Sequence, residues 1–493
     1  MKAPCVNQTN IDTINDMMGI KQREENRCAK LLYFLNRLEG LYKISTGRNF
    51  RYFRFLYNAI DGSLIHEAIR DIKEAGVVPY NPEDIDPCRA WNQMTLADME
   101  VIDSVLKYSA LDEFLLIHYD ETALWSCKAL ECLDDFWTAY GGLLQECRSP
   151  IVNIETMEYA MLPFAKFRNL NEGAEYSLDA VKDRIGRGTV VEFSEKLDGS
   201  MIQMRYIGNT LPEEDKRFWH GIMIATSGSL YPDRAPQLHH VLGFMTEDGE
   251  RIEKLVKAYP YNTFLFEWID SRDEHMVRYG DRQGLFLIGI RNIDFGWMLN
   301  YSRVIELAKR FGIPTTRLFS MSFDEALVSL ENMKGSVQEG YVLNVDGFLV
   351  KIKCPEFLNL MRAATISSSF NTIVRYATDG TVDDFIAMLP ASYQAPAKEK
   401  LKKLRAFEYD MRTEVERLCA SLPADRKAAM MQIDRMNADG MLKGLIRARY
   451  LGRPVEIIAK HKGNTIQYIR ESDIDRYYAN QSPDEAWHSP SLS

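Results

Sequence analysis

The run Glu195-Lys196-Leu197-Asp198-Gly199-Ser200 decides how the rest of the chain is understood. It closes a strand-like stretch, Gly188-Thr189-Val190-Val191-Glu192-Phe193, and brings an amine, a carboxylate and an Asp-Gly turn within one short reach. A covalent lysine nucleophile needs that layout, with the amine on a fixed element beside groups that favour its neutral form. A polar hairpin turn explains the same six residues equally well, because Lys followed by Asp-Gly recurs in unrelated chains. The decision between the two lies elsewhere in the chain.

With 493 residues and an ordinary apolar fraction of 46%, the chain is long enough for about two to four domains with a sizeable core. Its eight cysteines are scattered and contain no Cys-x-x-Cys pair, which argues against a disulfide framework and against a structural zinc site. No apolar run nears the roughly 18 residues of a membrane span, and residues 1–10 lack a signal-peptide core. A cytoplasmic protein with no membrane partner is expected. A net charge of −10 excludes a chain that coats nucleic acid nonspecifically but allows a local basic groove. The eight histidines are dispersed and suggest no metal-binding set.

Along the chain the texture changes twice. Residues 10–111 look mostly helical, with helical spacing over 94–111 and a loop around Pro79, Pro82 and Pro87. Within this region Arg48, Arg51 and Arg54 alternate with Phe50, Tyr52, Phe53 and Phe55, which suits either RNA contact or an amphipathic element with its rings turned inward. A strand-like run at 114–119 opens a different texture, and from 151 onward short β-rich runs dominate, at 190–193, 201–207, 221–226, 263–269, 284–291, 339–344 and 348–352, with helical intervals at 245–259, 302–311 and 323–333. Beyond Pro355 helical spacing returns, with breaks expected at Pro390, Pro396, Pro423 and Gly440, and the tail 482–493 has a loosely ordered composition. The expected architecture is α+β: a helical extension over 1–111, a mixed or antiparallel β-sheet core with flanking helices over 112–355, and a helical domain over 356–493.

The lysine gains weight from charged residues placed on later strands. Glu267 interrupts the apolar run Phe264-Leu265-Phe266, so its carboxylate needs a partner. Glu339-Gly340 sets a second carboxylate beside a residue that permits close approach. Lys351 and Lys353 share one strand face, with Val350 and Ile352 on the other. Taken singly, each is more often a rim salt bridge, a turn or a solvated face. Together they describe phosphoamide chemistry. Cations near Lys196 favour its neutral form and stabilise a phosphate under attack, while Glu339 with Asp198 or Glu267 offers oxygen ligands to a hard divalent ion.

The order Lys196-Leu197-Asp198-Gly199, Phe266-Glu267, residues 284–292, Glu339-Gly340-Tyr341-Val342 and Val350-Lys351-Ile352-Lys353 resembles the motif series of the covalent nucleotidyltransferases. Within them the chain most resembles the phage-type RNA ligase 1 family, through Glu146-Cys147-Arg148, residues 163–172 and the helical stretches 404–408 and 440–446. The resemblance implies a ligase-type nucleotidyltransferase fold and an ATP-dependent RNA ligase that uses Mg2+ or Mn2+. In it Lys196 takes AMP, Arg148 and Lys166 meet the departing phosphates, and Glu267 meets the ribose. Glu339 serves the metal or the strand, with Asp198 as a second metal ligand. Lys351 and Lys353 hold the α-phosphate and the RNA 5′-phosphate. Glu195 and Gly199 are expected beside the nucleotide, and Ile288 and Val342 as walls of an adenine slot. The implied partner is single-stranded or broken-loop RNA, tRNA in particular, with no obligate protein partner evident.

Two departures stand out. Thr226-Ser227-Gly228-Ser229 lacks the basic residue that the family tends to carry at Ser227, and the region before 111 has no recognised counterpart. A GTP-dependent capping enzyme or a DNA ligase is the competing enzyme reading, although both usually carry a β-rich domain where this chain turns helical. A non-catalytic RNA-binding protein of the same fold is the third. It gives no reason for five such charges to occur together.

Overall fold

The computed structural model describes residues 29–479 apart from 55–63, 209–217, 233–234, 271, 273–274, 379, 381, 384–385, 387–390 and 463–464. The tail 482–493, Phe55 and part of the interval around Pro390 therefore lie outside the described residues. Two compact units are present, 1–357 and 358–493. Among the described residues no helix is long and apolar enough to cross a membrane.

The first unit opens with helices Ala29–Thr46, Leu64–Ala75 and Leu96–Ser104. Thr95 starts the last of these through a capping box with Asp98, its hydroxyl accepting from the Asp98 N–H. The helical spacing read over 94–111 stops short. Residues 106–111 form β1 (Leu106–Leu111), which pairs in antiparallel register with β2 (Phe114–Tyr119). The hairpin turns on Asp112 at φ 50°, a conformation that Asp tolerates better than most residues, so no glycine marks it in the sequence. β3 (Arg148–Asn153) and β4 (Glu158–Met161) complete a four-stranded sheet in the order β1-β2-β3-β4. Leu31, Phe34, Ile65 and Ile69 of the helices share one core with Leu115, Ile117 and Val152 of this sheet. The helices before 111 thus bury their apolar face against these strands and do not form a core of their own.

Downstream lie β5 (Val191–Lys196), β6 (Ser200–Tyr206), β7 (Phe218–Trp219), β8 (Ile222–Thr226), β9 (Asn262–Ile269), β10 (Gly284–Asn292), β11 (Leu318–Phe319), β12 (Gly340–Val345) and β13 (Phe348–Lys353). They form two antiparallel sheets, of order β10-β9-β6-β8-β7 and β11-β5-β12-β13. Helices Pro236–Asp248 and Glu250–Ala258 and helix Tyr301–Phe311 cover the first of these through Leu238, Val241, Leu255, Val304 and Leu307. The interval read as one helix over 245–259 is two, divided at Gly249. Glu192 on β5 accepts from the N–H groups of Tyr301 and Ser302, which anchors the positive start of helix Tyr301–Phe311 on the second sheet.

The second unit contains helices Phe370–Thr378, Ala391–Ala420, Arg426–Arg435, Gly440–Tyr450 and Glu471–Ala479, and a hairpin of β14 (Ala459–Lys462) and β15 (Thr465–Tyr468) that the sequence did not announce. Pro396, expected as a break, lies inside helix Ala391–Ala420. It sits early in the helix, where its missing N–H forgoes one bond near the first turn.

Candidate active site

Lys196 is the last residue of β5 in one sheet, and Ser200 is the first of β6 in the other, so residues 197–199 carry the chain across a junction between sheets. That crossing is fixed at each position. Leu197 is buried against Ile269 and Phe286. The Asp198 N–H donates to the Tyr279 hydroxyl at 2.5 Å, and its Oδ2 accepts from the N–H groups of Met276 (2.7 Å) and Val277 (3.1 Å). At Gly199 an added Cβ would lie 2.6 Å from the Trp268 carbonyl oxygen and 2.8 Å from Glu267 Cγ. Glycine is what lets β9 bring Glu267 up to the turn.

Strand register delivers the other charges. Gly340 on β12 stands opposite Lys196 on β5 and opposite Lys353 on β13, so both lysines emerge on one face with no side chain between them. Gly340 adopts φ 147°, and a Cβ there would approach the Ile352 carbonyl oxygen to 2.1 Å. Glu339, just outside the strand and 2% exposed, joins the two lysines: Oε2 is 2.6 Å from Lys196 Nζ and Oε1 is 2.9 Å from Lys353 Nζ. Both of its oxygens are therefore neutralised, as a buried carboxylate requires. None of the salt bridges among the described residues includes Glu267. Burial pushes its carboxyl up to about 7, with Lys196 opposing the shift and Glu339 and Asp198 adding to it.

Lys351 lies one pleat from Lys353 on the same face, opposite Val342. Its ammonium is pushed down to about 7, first by burial and then by Arg148, Lys166, Lys196 and Lys353. None of the salt bridges among the described residues includes Lys351; its Nζ rests 4.8 Å from the centre of the Phe167 ring. The Arg148 guanidinium approaches that ring at 5.1 Å, and its Nη1 is buried without a hydrogen-bond partner. Burial lowers its pKa too. Lys166 Nζ stands over Trp137 (4.7 Å) and Tyr119 (5.1 Å) and pairs with Glu121 at 3.1 Å. Phe167 is held in place by its own backbone neighbours: the Lys351 N–H donates to the Arg168 carbonyl, and the Leu170 N–H to the Lys351 carbonyl, so residues 168–170 dock along β13 as a short parallel bridge. Mutually repelling cations in a recess of low polarity call for a polyanion.

Of the residues expected from sequence, Lys196, Glu267, Glu339, Lys351, Lys353, Arg148 and Lys166 gather in this way, with Gly199 admitting Glu267. Ile288 falls at the register shift between Leu287 and Gly289 on β10, where a bulge redirects a side chain, and packs against Leu197, Ile269 and Phe286. Val342 lies on the lysine face of β12, half-buried. Two expected residues are engaged within the scaffold. The Glu195 side chain points away from its neighbour Lys196 and is clamped by Arg282 at 2.7 and 2.9 Å, so it braces the scaffold. The Asp198 carboxylate anchors a loop through Met276 and Val277. Ser227 is exposed, and its carbonyl accepts from the Ser149 hydroxyl. Of the arginines at 48–54, Arg48 stacks on Tyr52 at 4.4 Å while Phe50 and Phe53 are buried, which is the inward-ring arrangement. The Arg54 side chain lies outside the description. Phe167, Trp137 and Tyr279 were not foreseen as site residues, although Phe167 lies between the two basic residues Lys166 and Arg168.

Residues 146–357 match the family model described as RNA ligase, of the phage T4 RNA ligase 1 type. Among curated proteins no sequence match was found. Solved structures with some likeness include an archaeal ATP-dependent RNA ligase, form 1, at 14% identity over 78% of this chain and 96% of that chain (TM-score 0.35). Its form 2 aligns at 13% identity over 76% and 90% (TM-score 0.32). A mutant of the Naegleria gruberi RNA ligase with ATP and Mn aligns at 14% identity over 40% of this chain and 57% of that chain (TM-score 0.30). Superpositions this loose equate no residues. The family match instead spans the whole charged recess from Arg148 to Lys353, which is where the likeness of this chain to the RNA ligases lies.

Proposed function

We propose that the protein is an ATP-dependent RNA ligase that joins a 5′-phosphate to a 3′-hydroxyl through a lysyl-AMP and an adenylylated RNA end. The observation that carries this reading is Lys351: an ammonium with no carboxylate partner, among four other cations and beside the unpartnered Nη1 of Arg148, within the family-matched stretch that holds Lys196. A triphosphate supplies the missing negative charge. In the first step the Lys196 amine, with a proton lost, attacks the α-phosphate. The P–N bond forms as the bond to pyrophosphate breaks. Glu339 Oε2 already holds the Lys196 ammonium and stands where that proton must go. Arg148, Lys166 and Lys351 are placed to neutralise the leaving pyrophosphate. In the second step the RNA 5′-phosphate displaces Lys196, and in the third the 3′-hydroxyl displaces AMP. Catalysis in each is positioning and charge neutralisation.

Mg2+ or Mn2+ fits the donor set in part. The Glu267 carboxyl lacks a salt bridge among the described residues and Glu339 can exchange an ammonium for a metal, whereas Asp198 is committed to the backbone. A hard ion held there would screen phosphate charge. The natural substrate under this reading is a single strand or broken loop such as that of tRNA, which points to RNA repair.

Incubating the protein and ATP with a 5′-phosphorylated single-stranded RNA, and separately with nicked duplex DNA, tests the reading. Joined or circular RNA is expected, with little sealing of the nick. No RNA product in the presence of Mg2+ and Mn2+ refutes it, and labelling by GTP in place of ATP favours a capping reaction.

A further inference from the structure

A cavity of about 400 Å3 shares Lys166 and Phe167 with the recess, and its lining is unlike a packing defect. Glu146, the last residue of helix Ala139–Glu146, lines it. This residue is 8% exposed, and its Oε2 has no hydrogen-bond partner. A carboxyl so placed is costly unless a ligand brings donors to it. Burial pushes it up to about 7, with Arg291 and Lys30 opposing the shift. The Arg291 guanidinium donates to the carbonyl oxygens of Pro163 and Gly296.

The rest of the lining supplies what a single nucleotide needs. Trp297, half-buried and stacked on Phe295 at 4.8 Å, supplies a ring to the lining against which a flat base can stack, while the Phe167 and Tyr176 rings in the same lining already carry Arg148 with Lys351 and Arg168. Lys30, Lys166 and Arg184 offer positive charge to a phosphate, against Glu175 and Asp346, the latter already bound by the N–H groups of Thr189 and Val190. The volume falls within the roughly 300–1,000 Å3 range of small-ligand sites. Single-stranded RNA is read in this manner, by stacking on rings and by hydrogen bonds to the base edge. Of the four bases, guanine alone presents a ring N–H beside an amino group, the pair of donors that a carboxylate accepts side by side.

We propose that this cavity is a guanine-nucleotide subsite in which the Glu146 carboxylate accepts from N1–H and the 2-amino group of a base at the RNA end. That an RNA end delivers the nucleotide rests on the ligase reading; that the cavity takes a guanine nucleotide does not.

Equilibrium dialysis of the full chain with GMP, and with AMP as the reference, tests it without turnover. The expected result is GMP binding that weakens about tenfold or more in Glu146→Gln, while AMP binding, which needs no Glu146, is unaffected. If Glu146→Gln does not fold, Trp297→Leu takes its place and loses GMP affinity through the lost ring face. No GMP binding to the wild type, or equal GMP affinity in wild type and variant, overturns the proposal. ATP labelling of the same preparation reports on the ligase reading independently: labelling without GMP binding removes the subsite alone, and GMP binding without labelling removes the ligase reading alone.

Discussion

Binding of a nucleotide triphosphate should draw a proton from solvent, because Lys351 is held near neutrality in its absence. With a pKa of about 7, roughly 0.1 of the Lys351 side chains carry a proton at pH 8 and roughly 0.9 at pH 6. The polyanion replaces the repulsion of Arg148, Lys166, Lys196 and Lys353 with attraction and returns Lys351 to its charged form. Uptake attributable to this residue is then about 0.9 proton at pH 8 and about 0.1 at pH 6. The ligand prefers the protonated protein, so affinity is flat below pH 6 and falls up to about tenfold per unit above pH 7. Glu267, also raised to about 7, takes up a proton in the same sense if a phosphate comes near. Its contribution is removed by comparison with Lys351→Arg, which keeps the cation but cannot titrate in this range. The assay is calorimetry with the non-transferable α,β-methylene analogue of ATP in two buffers of different ionisation heat. A buffer-dependent heat at pH 8 in wild type that shrinks by about one proton in Lys351→Arg is predicted. Equal proton uptake by the two proteins at pH 8 refutes the reasoning.

Further substitutions separate scaffold from chemistry. Gly340→Ala forces a Cβ to 2.1 Å from the Ile352 carbonyl oxygen at a φ that alanine disfavours, which should cost about 2 kcal/mol or more of stability and splay Lys196 from Lys353; thermal melts and ATP labelling should fall together. Glu195→Ala leaves Arg282 partly buried and unpaired, at a cost of about 3 kcal/mol seen as an earlier urea midpoint, whereas Glu195→Gln should recover part of the loss. A Glu195→Ala protein with an unchanged midpoint shows that the Arg282 clamp contributes nothing. Phe167→Ala removes the ring between Arg148 and Lys351 and should raise the KM for ATP about tenfold through misplaced cations. An unchanged KM contradicts that role.

Much of the recess was legible because β-strand alternation is a strict rule. Lys351 and Lys353 had to share a face once Val350 and Ile352 were assigned to the core, and those two are 0% and 1% exposed. The same rule, applied to Glu195, sets it opposite Lys196, on the face where Arg282 clamps it. Asp198 was beyond the sequence for another reason: its partners Met276 and Val277 lie 78 and 79 residues away, and no local pattern announces them. β1 was read as helix because its turn depends on Asp112 at positive φ rather than on glycine. Phe167 drew no notice since an aromatic between two basic residues is ordinary; its role appears only once residues 168–170 bridge to β13.

The central claim is that Lys196 carries AMP. Peptide mapping by mass spectrometry after incubation with ATP and Mg2+ tests it most directly. The account predicts an AMP adduct, labile in acid, on the peptide that contains Lys196, and no adduct in Lys196→Ala. An adduct on another residue, or a Lys196→Ala protein labelled as fully as wild type, contradicts it.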